Sequence, residues 1–232
     1  MVWEVASVVI DNRIILVSPR ITFARLFQLS GTRVFWESVG QSLGRIMYGF
    51  SLALGAGVIF ATVSARSRVV YRLVLPAINV MNAIPIASFT LLALMAVQRV
   101  NLPVFIAFVT VLPIIFLNTY KGIESTDPQL LEMANVFKVP PWKRAVYIYF
   151  KTVAPYVVSA ASVGIGFAWK SGISAELIGM VRGTIGFSLN DARNFLLTAD
   201  LLAWTVAIVI LSYAMEKAFR LLFGRILKWQ SN

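Results

Sequence analysis

Apolar residues in this chain gather into long runs, with the charges held in the connections between them. A helix that crosses a bilayer needs about 20 mostly apolar residues. Five segments meet that need: Leu43–Val63, Leu73–Val97, Leu102–Thr119, Val153–Trp169 and Ala199–Met215. Arg45 and Asp200 are the only charges inside them, each near an end. A membrane barrel would show many alternating segments of about ten residues, and none is present. The pattern predicts an all-α integral membrane protein with about five spans. Pro76 and Pro85 interrupt the second, and Pro103 and Pro113 sit in the third. A proline in a span frees backbone carbonyls, which is tolerated where helices pack together or line a cavity. Gly44, Gly49, Gly55 and Gly57 crowd the first span, as residues permitting close helix contact do.

One polar island breaks the pattern. Ser125 to Pro155 is charged and punctuated by prolines, and lies between two uncharged runs. Asp127-Pro128 is a helix start, with Asp accepting from first-turn amides and Pro fitting the first position. Leu130, Leu131, Ala134 and Phe137 follow at helical spacing, and Val139-Pro140-Pro141 stops that helix. A second helix carries Trp142, Val146 and Phe150, with Lys143 and Arg144 on its exposed side. The expected product is a helical hairpin under the membrane. It is either an amphipathic loop on the headgroups or a docking surface for a soluble partner.

Basic residues orient the spans. Arg66, Arg68 and Arg72 fill the first connection; Lys121, Lys138, Lys143, Arg144 and Lys151 fill the third; Lys217, Arg220, Arg225 and Lys228 follow the last span. That side is expected to be cytoplasmic. With five spans the N-terminus falls outside, although residues 1–42 hold Arg13, Arg20, Arg25 and Arg33. Their apolar runs, Val5–Ile10 and Ile14–Val17, are too short to span. An interfacial segment and a sixth, imperfect span are the two readings. The expected division is an N-terminal interfacial or partly embedded segment over 1–42, a transmembrane domain over 43–223 with its loop at 120–152, and a cytoplasmic tail over 224–232.

Composition narrows the chemistry. The chain has 232 residues, 59% hydrophobic and 13% charged, with mean hydropathy +0.79. Soluble domains carry about 25% charged residues. The net charge of +11 sits in loops, where it sets orientation more readily than it binds nucleic acid. Cysteine and histidine are both absent. Thiolate metal sites and disulfides are thereby excluded, as is the usual general base near neutral pH. No GxxxxGK phosphate loop is present, and no nucleophile–base pair. No catalytic residue and no metal or cofactor site is assigned.

The island also carries a resemblance. Glu132-Met133-Ala134, then Trp142, Ile148, Phe150 and Pro155, is similar to the coupling loop of binding-protein-dependent ABC importer permeases. In that pattern Lys138 stands at a glycine position and Lys151 at a proline position. Trp36-Glu37-Ser38 through Gly49-Phe50 resembles the start of the permease core. Asn82-Ala83-Ile84-Pro85-Ile86-Ala87 and Pro113 through Thr119 resemble its second and third helices. Ala168-Trp169-Lys170, Ala175-Glu176 and Gly183-Thr184-Ile185-Gly186 resemble the subgroup importing nitrate, sulfonates, taurine and thiamine or riboflavin-type precursors. The likeness is collinear from about Trp36 to Trp229. It lacks a first span.

The resemblance implies a type I importer subunit in a bacterial inner membrane, crossing it several times. Two permease chains, identical or paralogous, would form the pathway. Cytoplasmic ATPases, which would hold the ATP and magnesium, would dock on the 125–150 loop, and an external binding protein would deliver substrate. Glu132, Ala134, Phe137, Lys138, Trp142 and Arg144 are then the candidate ATPase contacts. Asn79, Asn82, Pro85, Asn118, Thr119 and Glu176 are the pathway candidates, since polar groups in a bilayer usually face the bundle interior. Interhelical hydrogen bonding is the alternative for the amides. For Glu176, a gate or binding-protein contact stands against an ion pair. A secondary transporter is the competing function, although such chains often place acids or broken-helix repeats near the midplane.

Overall fold

Thr32 starts the longest helix: its hydroxyl accepts from the Phe35 amide at 3.3 Å. This helix, α3, runs Arg33–Arg66, about 51 Å at ~1.5 Å per residue. It begins ten residues before the expected span, its first turn tied by Arg33 to Glu37 at 2.6 Å. The computed structural model describes residues 2–10 and 16–229. Two short helices precede α3, α1 (Val2–Ile10) and α2 (Pro19–Ser30). Each is too short to span, so the described part of 1–42 holds no sixth crossing. Arg25 of α2 instead grips Asp200 with two hydrogen bonds of 2.5 and 3.0 Å.

Ser67 both ends α3 and caps α4 (Arg68–Ala83), its hydroxyl accepting from Val70. The expected span over Leu73–Val97 is not one helix. It breaks between α4 and α5 (Ile86–Ala96) with a bend of 110°. Pro85 is the cause. It lacks an N–H and disfavours helical backbone at the residue before it, and Ile84 is extended at φ −75°, ψ 129°. Pro76 lies inside α4 without ending it.

A 3-10 turn, Arg99–Asn101, leads into α6 (Leu102–Glu124). The hairpin follows, with α7 (Pro128–Val136) and α8 (Pro141–Arg144). Then come α9 (Phe150–Gly179), α10 (Ile185–Asn194) and α11 (Thr198–Trp229). The second hairpin helix is not a separate element. A π-helical turn, Ala145–Tyr149, joins α8 to α9, so residues 141–179 form one continuous rod. Four described helices are long and apolar enough to cross a membrane, or five with the bent pair counted as one span.

The bundle centres on α6, packed between α3 and α9. Gly49 and Gly57 permit that approach: a Cβ on them would lie 2.4 Å from the Val104 carbonyl oxygen and 2.7 Å from Ile115. Gly44 and Gly55 face open space, so only two of the four expected glycines serve packing. Phe50, Val111, Ile115, Phe116, Ile165 and Trp169 fill the core. Trp169 is fully buried and donates its indole N–H to the Ile208 carbonyl at 3.1 Å.

The last helix departs most from expectation. Lys217 and Arg220 are not in a separate tail element: α11 continues unbroken past them to Trp229, and residues 230–232 lie outside the described residues. Phe219 is buried and stacks edge-on against Phe50, centroids 6.0 Å apart. Apolar positions on one face carry the helix past the charges on the other, and hydropathy summed along the chain cannot separate the two.

Candidate functional site

The hairpin is built from local chemistry. The Asp127 carboxylate accepts from the Gln129 amide at 2.8 Å with Pro128 in the first turn, as the sequence predicts. The other end of α7 closes with Lys138 in the left-handed region, φ 52°. Lys138 N–H bonds the Asn135 carbonyl at 3.0 Å and Val139 N–H bonds Ala134 at 2.9 Å. This paired pattern is the usual helix stop, and glycine is its usual residue. The glycine position of the sequence pattern therefore has a backbone reason here, and Lys138 meets it with strain.

Arg144 is half-buried and turned onto the hairpin itself. Its guanidinium donates to the carbonyls of Val139 at 2.7 Å and Ala134 at 3.1 Å, and to the side chain of Asn135. It straps α8 onto the end of α7. Ala134 is fully buried inside the hairpin. These two hold the hairpin together. Glu132, Phe137, Lys138 and Trp142 are exposed. With Leu130, Met133 and Val136 they make an apolar rim bearing one acid.

The pathway candidates do not converge on one place. Asn79 and Asn82 stand exposed one turn apart on α4, with Pro85 exposed at the bend. Neither amide side chain bonds another helix among the described residues, so the interhelical alternative fails within this chain. Asn118 donates to the Ile114 carbonyl of its own helix at 2.8 Å. Thr119 is fully buried. Thr119 faces inward and Asn118 is half-buried, both near the hairpin end of α6.

Glu176 lies at the opposite end of the bundle, fully buried. Burial takes it off the surface of this chain, and no ion pair to it is found among the described residues. Its Oε2 accepts from the Ser42 hydroxyl at 2.8 Å and from the Gly186 amide at 3.2 Å. Ser42 Oγ in turn accepts from the Ile185 amide at 3.0 Å, and Thr184 Oγ1 accepts from Phe187 at 3.3 Å. Three first-turn amides of α10 are thus satisfied by side chains from α3, α9 and its own cap. Carboxylate charge suits that positive helix end. A Cβ on Gly186 would sit 2.4 Å from the Glu176 Cβ, so only glycine fits. Gly183 supplies φ +75° at the turn before. Arg45 lies close by, bonding Gln41 at 3.1 Å.

Sequence reasoning missed Ser42 as the partner of Glu176, and missed that the α11 charges lie beside the bundle. The second had a signal: Ala218, Phe219, Leu221 and Leu222 continue the apolar run past Lys217.

Long apolar helices with an exposed helical hairpin between two of them make the architecture of a membrane permease subunit. The chain belongs to the family described as binding-protein-dependent transport system inner membrane component, matched over residues 53–228. Among curated relatives, it is 28% identical to the nitrate import permease protein NrtB of Synechocystis, over 76% of this chain and 64% of that one. It is 22% identical to the taurine transport system permease protein TauC of Escherichia coli, over 98% and 84%. It is 27% identical to the bicarbonate transport system permease protein CmpB of Synechocystis, over 68% and 57%. The chain thus spans less than two thirds of the nitrate and bicarbonate permeases. Among solved structures, an amino acid ABC transporter chain aligns with TM-score 0.67 at 16% identity, covering 88% of this chain and 97% of that one. The inward-facing MetNI methionine transporter aligns with TM-score 0.62 at 17% identity, covering 85% and 94%. These two support the fold alone.

Proposed function

We propose that this chain forms the translocation pathway of an ATP-driven importer for a small anion. Separate ATPases dock on its hairpin at the cytoplasmic side. A second permease chain completes the pathway and an external binding protein delivers substrate. The hairpin carries this reading. Its exposed rim of Leu130, Met133, Val136, Phe137 and Trp142 sits on a frame locked by Arg144. The π turn then joins that frame to α9 in one rod, so a push on the hairpin is delivered to the bundle. Nitrate, taurine and bicarbonate, the substrates in the relatives' names, each present a compact oxyanion group, which supports the anion class.

The test is uptake into proteoliposomes holding the assembled permease with its cognate ATPase and external binding protein, with nitrate, taurine and bicarbonate as probes. Import that requires ATP is the expected result. Glu132→Arg should abolish substrate-stimulated ATP hydrolysis while the protein still inserts, because like charges forced together at an interface cost several kcal/mol. Uptake that persists without the ATPase would make the chain a secondary transporter instead.

A further inference from the structure

The charges on α11 stand at a depth where charge is costly. Gly164 of α9 packs against Val111 and Phe50, at 3.1 and 3.5 Å from its Cβ position. Phe50 meets Phe219, so these four residues share one level of the bundle. Val111 is midway between Leu102 and Tyr120, the ends of the uncharged stretch of α6. Nine residues of helix on either side put that level about 13 Å from each end. Gly166, two residues on, lies beside the Glu216 carboxylate: a Cβ there would be 2.5 Å from its Oε1. Lys217 and Arg220 flank Phe219 in sequence and are both exposed on this chain. To reach a headgroup region from that level a side chain would have to extend about 13 Å along the helix.

The side chains around them are matched in kind. Tyr213, Glu216, Lys217 and Arg220 share one side of α11 and line a groove of about 220 Å³ with Leu221. One water occupies about 30 Å³ in the liquid, so the groove has room for a small hydrated ion. Glu216 lies 3.9 Å from Arg220. Lys217 has no ion-pair partner among the described residues, which leaves the groove with an excess positive charge. Charged side chains inside a membrane face a water-filled cavity or pair with one another. Here pairing accounts for one cation of two.

We propose that this face of α11 lines the aqueous pathway, and that Lys217 and Arg220 form a mid-membrane station for a small oxyanion, with Tyr213 able to donate a further hydrogen bond. This deepens the importer reading and rests on it. Two cations balanced by one acid attract an anion while keeping the site weak enough to release it.

Because the chain has no cysteine, single-cysteine variants can be read directly. Lys217→Cys and Tyr213→Cys are made in the full-length chain and assayed in inside-out membrane vesicles. The probes are two membrane-impermeant methanethiosulfonates, one anionic and one cationic, with Lys138→Cys on the exposed hairpin as control. Both pathway variants should react, and the anionic reagent should be favoured by about tenfold relative to its preference at the control, the low end of what local fields give. Adding Arg220→Gln to Tyr213→Cys should reduce that preference. Silence at both positions while the control reacts would overturn the proposal and assign this face to lipid or a second copy. Reaction without charge preference would also overturn it, leaving water but no anion station. Either failure leaves ATP-driven import untouched. Loss of import by the unmodified complex, with the labelling pattern intact, would instead overturn the importer reading.

Discussion

The Ser42 hydroxyl and the Glu176 carboxylate meet at 2.8 Å across 134 residues of sequence. Through Ile185 and Gly186 the same two side chains hold the start of α10. Three helices are thereby joined by one buried polar knot, at the end of the bundle away from the hairpin. The knot fixes α10 without using Arg193, which is exposed and bonds Asn190 of its own helix at 3.1 Å.

Glu176→Ala should therefore loosen the whole end. It leaves the Gly186 amide and Ser42 without an acceptor in a buried place, at about 1–3 kcal/mol each. Glu176→Gln keeps an acceptor and should cost less. Gly186→Ala should be as damaging as Glu176→Ala, since its methyl has no room beside the Glu176 Cβ. Thermal unfolding of the detergent-solubilised protein orders the three. An alanine at 176 that melts with the wild type would show that the knot holds nothing.

Lys138 offers the opposite sign. It sits at φ 52°, where a residue with a Cβ is disfavoured by about 1–2 kcal/mol. Lys138→Gly relieves this strain, offset in part by the extra freedom of glycine in the unfolded chain. The expected gain is about 1 kcal/mol, read as roughly fivefold slower hydrogen exchange at the C-terminal amides of α7 if they exchange by local opening. Faster exchange would mean that the Lys138 side chain holds the stop by a contact outweighing the strain.

These two regions were not equally legible in the sequence. Asp127-Pro128 announced α7 because capping chemistry is local, and Pro85 marked a break because its missing N–H and its ring act on the turn and the residue just before it. The size of the break was not legible, since packing against α6 and α9 decides it. Ser42 carried no signal of its own: a small polar residue in a helix finds a partner only once the chain has folded. Glu176 read as a gate, a contact or a paired acid because its real partners are a hydroxyl 134 residues away and a backbone amide. Lys217 read as the start of a tail because hydropathy averages over helix faces, while burial of Phe219 depends on one face. Ala134 and Arg144 were legible as hairpin residues, but not as its inner strap.

Arg144 gives a third prediction. Its guanidinium bridges Val139 and Ala134, a fork that an ammonium cannot reproduce. Arg144→Ala should destabilise the hairpin by about 1–2 kcal/mol, discounted from the value for charged hydrogen bonds because the site is partly exposed. Arg144→Lys should recover less than half of that. Faster exchange in α7, with α9 unchanged beyond Pro155, is the expected signature. If α9 loosened equally, the π turn would be transmitting the damage and the hairpin would not be a separable unit.

The last prediction concerns the second chain. Asn79 and Asn82 are exposed one turn apart on α4, a helix in which Ile78 alone is buried. A helix within a bilayer that leaves polar amides uncovered on its own chain needs water or protein against them. The bend at Pro85 frees backbone groups beside Asn82, and these too need partners. A second permease chain placing its α4 opposite would supply both a wall and a cavity. Asn82→Cys is then expected to cross-link across the assembled complex, because the chain brings no other cysteine and two copies would meet at that position. Heterodimerisation with a paralogue would require the matching cysteine in the other chain. Mass measurement of the extracted complex counts the copies. A fully active complex holding one permease chain would sink the two-chain arrangement. Two chains that never cross-link at position 82 in any transport state would remove α4 from the shared axis and leave the pairing in place.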